Sequence, residues 1–185
     1  MRQPLRKLLR EEWFGLIQHE YANQRINSER SLQAALWARL NARLPVRTRQ
    51  LFVEPRFSMR VGKKSNTVLP DLVICNSRTV IAVVELKYEP RKAPSLKKDL
   101  ETLELLAKSG DALDLGKERY LGERPDERRY ALNDHTLFVW AGVYRASDPG
   151  QVQPETIDTQ GVLADRFLSL HAVTAEGKAA SVFAI

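Results

Sequence analysis

The sequence predicts an α/β fold in which a mixed central sheet is flanked by helices, built as a single domain over residues 1–185. Three observations carry this. Apolar residues recur at three- and four-residue spacing in two segments before residue 45 and in one around residue 100. Between them lie three short stretches rich in Val, Ile and Phe, separated by turn residues. A further apolar, strand-sized segment, Thr136–Arg145, follows the third helix. The order is helix, helix, three strands, helix, strand, with the core at about residues 28–145 and a C-terminal β extension over 146–185.

The first helix is expected over residues 4–23. Pro4 suits the opening turn, where its missing N–H costs nothing, and Leu5, Leu8, Leu9, Trp13, Leu16 and Ile17 form one stripe. A break at Asn23–Asn27 precedes a second helix over Ser28–Leu44, capped by Asn27 or Ser28 and closed by Pro45. Its stripe is Leu32, Leu36, Leu40 and Leu44, with Trp37 at the edge. A β-meander follows: Gln50–Arg60, irregular at Pro55; a turn over Val61–Asn66; then Thr67–Cys75 and Thr79–Tyr88 around Asn76-Ser77-Arg78. Val80–Val84 is apolar on both faces and therefore central. The third helix is expected over Ser95–Ser109, with Leu96, Leu100, Leu103 and Leu106 on one side and Gly110 ending it. Residues 111–134, rich in charge, Gly and Pro, read as a surface excursion, and Asp148–Gly161 as loop. Phe167–Ala175 and Ala179–Ile185 read as a terminal hairpin around Glu176-Gly177-Lys178.

Composition removes several classes of function. With 185 residues, 43% of them hydrophobic, the chain can bury a substantial core. No apolar run approaches the roughly 20 residues of a membrane helix. A single cysteine, Cys75, excludes an internal disulfide framework and cysteine-rich zinc modules, and reads as a small buried hydrophobe. His19, His135 and His171 lack metal-ligand spacing. The charged N-terminus has no apolar stretch behind it, so a cytoplasmic protein is expected. The net charge of +6 divides unevenly: residues 1–98 carry +12 and residues 99–185 carry −6. Such a basic half points to a polyanionic partner, nucleic acid before a membrane surface or an acidic protein, unless the clustering is only a solvated surface.

The chemistry concentrates in the meander. Glu85 and Lys87 sit two apart in a strand, so both emerge on one face at the end of an apolar run. Polar groups there are costly to desolvate unless something binds them. Asp71 begins the neighbouring strand and can lie beside Glu85. Two converging carboxylates repel, and Mg²⁺ (or Mn²⁺ in its place), preferring oxygen and needing only one or two protein carboxylates, would relieve that repulsion. A lysine at the rim could hold an attacking water or the charge developing on a phosphate. The competing reading is a strand-end salt bridge for Glu85 and Lys87 and a turn residue for Asp71.

Pro70-Asp71 followed by Glu85-Leu86-Lys87 resembles the motif of the PD-(D/E)XK nuclease superfamily, whose restriction-endonuclease-like αβββαβ core has the same order of elements. The resemblance covers about residues 28–145. It rests on strand context, because Pro125-Asp126 with Glu176-Gly177-Lys178 offers the same string 50 residues apart without convincing strands, against 14 residues for the true candidate. The resemblance implies Asp71 and Glu85 as metal ligands, the backbone carbonyl of Leu86 as a third, Lys87 acting on the water, and DNA as the usual substrate. It also implies a glutamate on the preceding helix: Glu29, which falls on the Leu32/Leu36/Leu40 face and is expected to aim at the core, with Glu20 on the first helix as competitor. The fold so implied carries an additional N-terminal helix.

Lys63, Lys64, Arg91, Lys92, Lys97 and Lys98 are candidate contacts to nucleic acid, although a solvated face explains each of them too. Gly62-Lys63-Lys64-Ser65 is not a P-loop, since Phe57 stands where the first glycine belongs. The expected activity is metal-dependent phosphodiester hydrolysis. The alternatives are a non-catalytic nucleic-acid-binding module with this fold, or an interaction protein whose basic half docks on an acidic partner. A homodimer, through the first helix or the terminal hairpin, is open.

Overall fold

The computed structural model describes residues 2–61, 64–109, 114–115, 120–121, 124–125, 130–146, 152–159 and 161–185. The protein is α/β, with a six-stranded mixed sheet between helices. Helix α1 (Arg2–Leu16) runs into one π-helical turn, Ile17–Tyr21, so the first helix ends a little earlier than its apolar stripe suggests. Helix α2 (Glu29–Arg43) starts as the sequence predicts: Ser28 accepts from the Ser31 N–H, and the Ser31 side chain accepts in return from the Ser28 N–H, a reciprocal cap. It stops at Leu44, held extended (φ −78°, ψ 134°) as a residue before proline must be.

The meander is more broken than its pattern suggests. Strand β1 (Gln50–Val53) ends at Glu54, whose φ of 44° turns the chain out of the sheet just before Pro55. Strands β2 (Phe57–Val61) and β3 (Lys64–Val68) then form a separate antiparallel hairpin. The expected turn over Val61–Asn66 is therefore corrected: most of it is strand, and the predicted first and second strands are each split in two. The chain re-enters the sheet with β4 (Leu72–Cys75), antiparallel to β1, and β5 (Val80–Glu89) completes the meander. Asn76 shapes the connecting turn by accepting from the N–H groups of Arg78 (2.9 Å) and Thr79 (2.7 Å).

Helix α3 (Lys97–Ser109) follows; Gly110, expected to end it, lies outside the described residues. The excursion contains short strands β6 (Asp114–Leu115), which pairs with β2, and β7 (Tyr120–Leu121) with β8 (Arg124–Pro125). Strand β9 (Leu137–Arg145) returns parallel to β5. The terminal hairpin forms as β10 (Phe167–Thr174) and β11 (Ser181–Ala184), but it is no appendage. Strand β10 pairs parallel with β9 along its whole length, giving the sheet order β1-β4-β5-β9-β10-β11.

The pleat divides the core. One face (Leu72, Ile74, Val84, Leu86, Val139, Ala141, Leu170) packs against Leu9, Trp13 and Leu16 of α1 and Leu32, Leu36 and Leu40 of α2. The other (Val73, Val83, Phe138, Trp140, Tyr144) packs against Leu103 and Leu106 of α3. Cys75 is buried in the second cluster as a free thiol, as its place in an apolar strand predicts. Among the described residues no helix is long and apolar enough to cross a membrane.

Gly142 marks a close approach. A Cβ on it would come within 2.2 Å of the buried Trp140 ring, which lies against the glycine's backbone. Gly142→Ala is therefore expected to destabilise the protein by about 1–3 kcal/mol, because an enclosed indole has little room to yield. Urea titration of the two proteins at neutral pH checks this; an unchanged midpoint refutes the contact.

Candidate active site

The site lies where β5 leaves the core. Val80–Leu86 are buried, whereas Lys87, Tyr88 and Glu89 are partly exposed. Register sets the geometry: Leu72 pairs with Val84, and one further step puts Asp71 beside Glu85 on the face covered by α3. The Asp71 Oδ2 accepts from the Leu86 N–H at 2.6 Å, which locks its carboxylate to the edge of β5. The two carboxyls interact directly, and that contact lowers Asp71 while it raises Glu85. Burial raises both, reinforced by their mutual repulsion in Glu85 and by the Glu29 charge in Asp71: Asp71 moves up to about 6 and Glu85 up to about 9. The Leu86 N–H counteracts part of this at Asp71.

Lys87 stands two residues further on the same face. Its Nζ lies 3.8 Å from the Asp99 Oδ2 on the first turn of α3. Asp99 is 8% exposed and also accepts from the Trp140 Nε1–H at 3.2 Å. Burial raises the Asp99 carboxyl, and Lys87 and the indole N–H oppose that shift. Trp140 is the direct cross-strand neighbour of Glu85, so one indole ties α3 to the acid-bearing strand. Farther along this face the Tyr144 hydroxyl and His171 Nδ1 share a hydrogen bond (2.8 Å), and burial holds that imidazole down to about 4.

Glu29 does not aim at the core, contrary to expectation. It is exposed at the start of α2, and its Oε2 accepts from the Tyr88 N–H at 3.2 Å, so it approaches β5 from the rim. The charge of Glu29 still bears on both Asp71 and Glu85. Its competitor Glu20 sits on the π-turn with Arg25 at 3.3 Å, and no interaction links it to the acids. Among the described residues no three His, Cys, Asp or Glu side chains form a metal cage. What converges is a pair, Asp71 and Glu85, with Glu29 and Asp99 to either side.

The basic candidates are scattered. Lys63 lies outside the described residues, and Lys64 is placed only as a backbone position in β3. Lys92 pairs with the largely buried Glu89 (3.4 Å), and Lys97 with Glu101 (3.9 Å) as a solvated pair. Lys98 is exposed beside Asp99, and Arg91 is exposed beside Tyr88.

Two polar residues join the site that no motif named. Asp99 is spaced three, four and seven residues from Leu96, Leu103 and Leu106, so it lies on the buried stripe of its helix. Gln33 bears the same relation to Leu36 and Leu40. Its Nε2 donates to the Asp71 carbonyl at 3.1 Å and lies 3.4 Å from both Asp71 Oδ1 and Glu54 Oε1, bracing Asp71 from α2. The helical-wheel argument applied to Glu29 finds both. No protein-family model, curated protein or solved structure matches this chain.

Proposed function

We propose that this protein is a divalent-metal-dependent nuclease of PD-(D/E)XK type, hydrolysing phosphodiester bonds in DNA. The observation that carries the reading is the convergence of two carboxyls, the buried Glu85 and the half-buried Asp71, from adjacent strands in the basic half of the chain. Two such acids, each pushed towards its protonated form by burial and by its neighbours' charge, are a fit for a hard dication. The order of elements supports the same reading: the antiparallel neighbours β1, β4 and β5 are followed by α3 and then by β9, which runs parallel to β5.

Asp71 and Glu85 would hold Mg²⁺ (or Mn²⁺), with the Leu86 carbonyl as a further oxygen, and Glu29 would bind from the rim. A bound ion supplies charge for the phosphate and acidifies a water. Gln33 and the Leu86 N–H keep the Asp71 carboxylate at a fixed angle. Lys87, steadied by Asp99, presents an ammonium to the attacking water and to the charge that builds on the phosphate.

The test is cleavage of supercoiled, linear, branched and single-stranded DNA in Mg²⁺ or Mn²⁺, comparing wild type with Asp71→Asn. Wild type is expected to cut at least one of these, and the variant to lose roughly 10²-fold or more. Salt-sensitive binding without cutting would favour a non-catalytic nucleic-acid-binding module instead. Absence of salt-sensitive binding would favour a protein partner.

A further inference from the structure

Three strands, β5, β9 and β10, run parallel, and their carboxyl ends lie side by side. In open α/β sheets that edge is where ligands collect. Here it carries two adjoining cavities. One, of about 780 Å³, lies between the π-turn and the loop after β10. The other, of about 600 Å³, lies over the ends of the three strands. Tyr21, Lys178 and Ala180 line both, so the two form a single groove.

Its chemistry is specific. Arg91, Arg145 and Lys178 line it, one from the end of each parallel strand or the loop beyond, and among the described residues Glu176 is the one acid in the lining. None of the three cations has an ion-pair partner among the described residues, unlike Lys92 and Lys97. Two tyrosines provide aromatic surface. Tyr21 and Tyr88 meet edge to face with centroids 6.5 Å apart, and the Tyr88 hydroxyl is fixed by donating to the Ile26 carbonyl at 3.0 Å. Two backbone irregularities shape the same wall: the π-turn, and Gln24 at φ 57°. The groove begins three residues beyond Glu85 on β5, about 10 Å along the strand, with Tyr88 on the α1/α2 face of the sheet and Glu85 and Lys87 on the α3 face, so the two meet at the strand end. Its first aromatic, Tyr88, takes the Glu29 carboxylate on its N–H.

From this juxtaposition we infer that the groove receives a single-stranded segment of the DNA substrate, with phosphates on Arg91, Arg145 and Lys178 and an unpaired base against Tyr21 and Tyr88. Unpaired cations next to aromatic surface are what single-strand grooves are made of, because every base has a π-face and every nucleotide a charge. A blunt duplex does not fit as well. It offers phosphates to the rim, but its bases are stacked on one another and are not free to lie against Tyr21 and Tyr88. The inference rests on the nuclease reading for its choice of DNA, and it adds the form of the substrate: a duplex with an unpaired tail, or a single strand.

Fluorescence anisotropy in EDTA isolates binding from cleavage. The probes are a mixed-sequence single strand of about 16 nucleotides, the blunt duplex of that sequence, and the duplex bearing a single-stranded tail. Wild type is expected to bind the single strand and the tailed duplex more tightly than the blunt one. The triple variant Arg91→Gln/Arg145→Gln/Lys178→Gln should lose about tenfold or more on the tailed probe and reduce the salt slope by about 2, with little change on the blunt duplex. Arg91→Lys/Arg145→Lys, which keeps the charge, should retain most of the affinity, and Tyr21→Leu should lose about tenfold by removing a stacking surface. Circular dichroism confirms that each variant is folded. Equal affinity of wild type and the triple variant for the tail, or a wild-type preference for the blunt duplex, overturns the groove. If the groove variants lose binding but wild type cuts nothing in Mg²⁺, the groove stands and the nuclease reading falls. If wild type cuts and the groove variants bind and cut equally well, the groove falls and the nuclease reading stands.

Discussion

Lys87→Met is expected to lower metal-dependent cleavage roughly 10²- to 10⁴-fold and, separately, to destabilise the protein at pH 8. The two losses have different origins. Activity falls because the ammonium no longer meets the attacking water or the developing charge. Stability falls because Asp99, only 8% exposed, keeps a carboxylate whose cationic neighbour at 3.8 Å has gone. Removing one member of a well-buried pair costs about 3–5 kcal/mol; Lys87 is 20% exposed, so solvent takes up part of that and about 1–3 kcal/mol is expected. Adding Asp99→Asn removes the stranded charge while keeping an acceptor for the Trp140 N–H. The double variant Lys87→Met/Asp99→Asn should regain most of the stability and none of the activity. Guanidinium titration in EDTA together with a plasmid-nicking assay separates the two. Wild-type cleavage by Lys87→Met would remove Lys87 from the chemistry. An unchanged denaturation midpoint would show that the ion pair contributes nothing.

Metal-free protein should lose stability as pH rises, and Glu85→Gln should abolish most of that loss. Burial, and then the repulsion of Asp71, hold the Glu85 proton up to about 9 in the fold, against an ordinary value of 4.5. The folded state therefore binds more protons than the unfolded state between these values. The contribution is complete below the lower value and drains away as pH rises through the upper one. Asp71, up from 3.8 to about 6, acts in the same direction over a lower window. At pH 8 the deficit from Glu85 is on the order of 3–5 kcal/mol at most, taking each pKa unit as about 1.4 kcal/mol. Glutamine keeps a donor for Asp71 and cannot ionise, so Glu85→Gln should melt at a higher temperature than wild type in EDTA at pH 8 and show a flatter profile between about pH 5 and 9. Mg²⁺ should raise the wild-type melting temperature more at pH 8 than at pH 6, because at the higher pH fewer protons compete for the carboxylates. The glutamine variant should gain little. A wild-type melting temperature that stays level or climbs from pH 5 to 9 without metal would contradict the raised Glu85 carboxyl.

The candidate site was legible in the sequence where it depends on period and register. A strand apolar on both faces that ends in Glu-x-Lys must deliver both polar groups to one side, and an Asp at the start of the adjacent strand falls beside them. Asp71, Glu85 and Lys87 accordingly lie where strand alternation puts them. Glu29 shows the limit of the same reasoning on a helix. The wheel puts it in line with Leu32, Leu36 and Leu40, but at the first turn that line runs off the end of the sheet, and the side chain reaches the Tyr88 N–H instead of the core. Asp99 and Gln33 follow the wheel onto the buried stripes of their helices, but neither belongs to a motif, and only the packing of α3 and α2 on the sheet brings them to Trp140 and Asp71.

Local order belongs to the sequence. The cap at Ser28, the stop before Pro45, the Asn76 turn, the all-apolar β5 and the buried Cys75 each follow from one residue type in one local setting. Long-range pairing does not. That β2 and β3 leave the sheet as their own hairpin depends on Glu54 taking a left-handed conformation, which residue identity disfavours and which goes with its contacts to Asp71 and Gln33. That β10 lies parallel to β9 depends on which edge of the sheet offers unpaired backbone, a property no segment of sequence holds by itself. The raised carboxyls of Asp71 and Glu85 likewise come from tertiary structure. Composition supplies two acids, and only burial beside each other on packed strands pushes both towards their protonated forms.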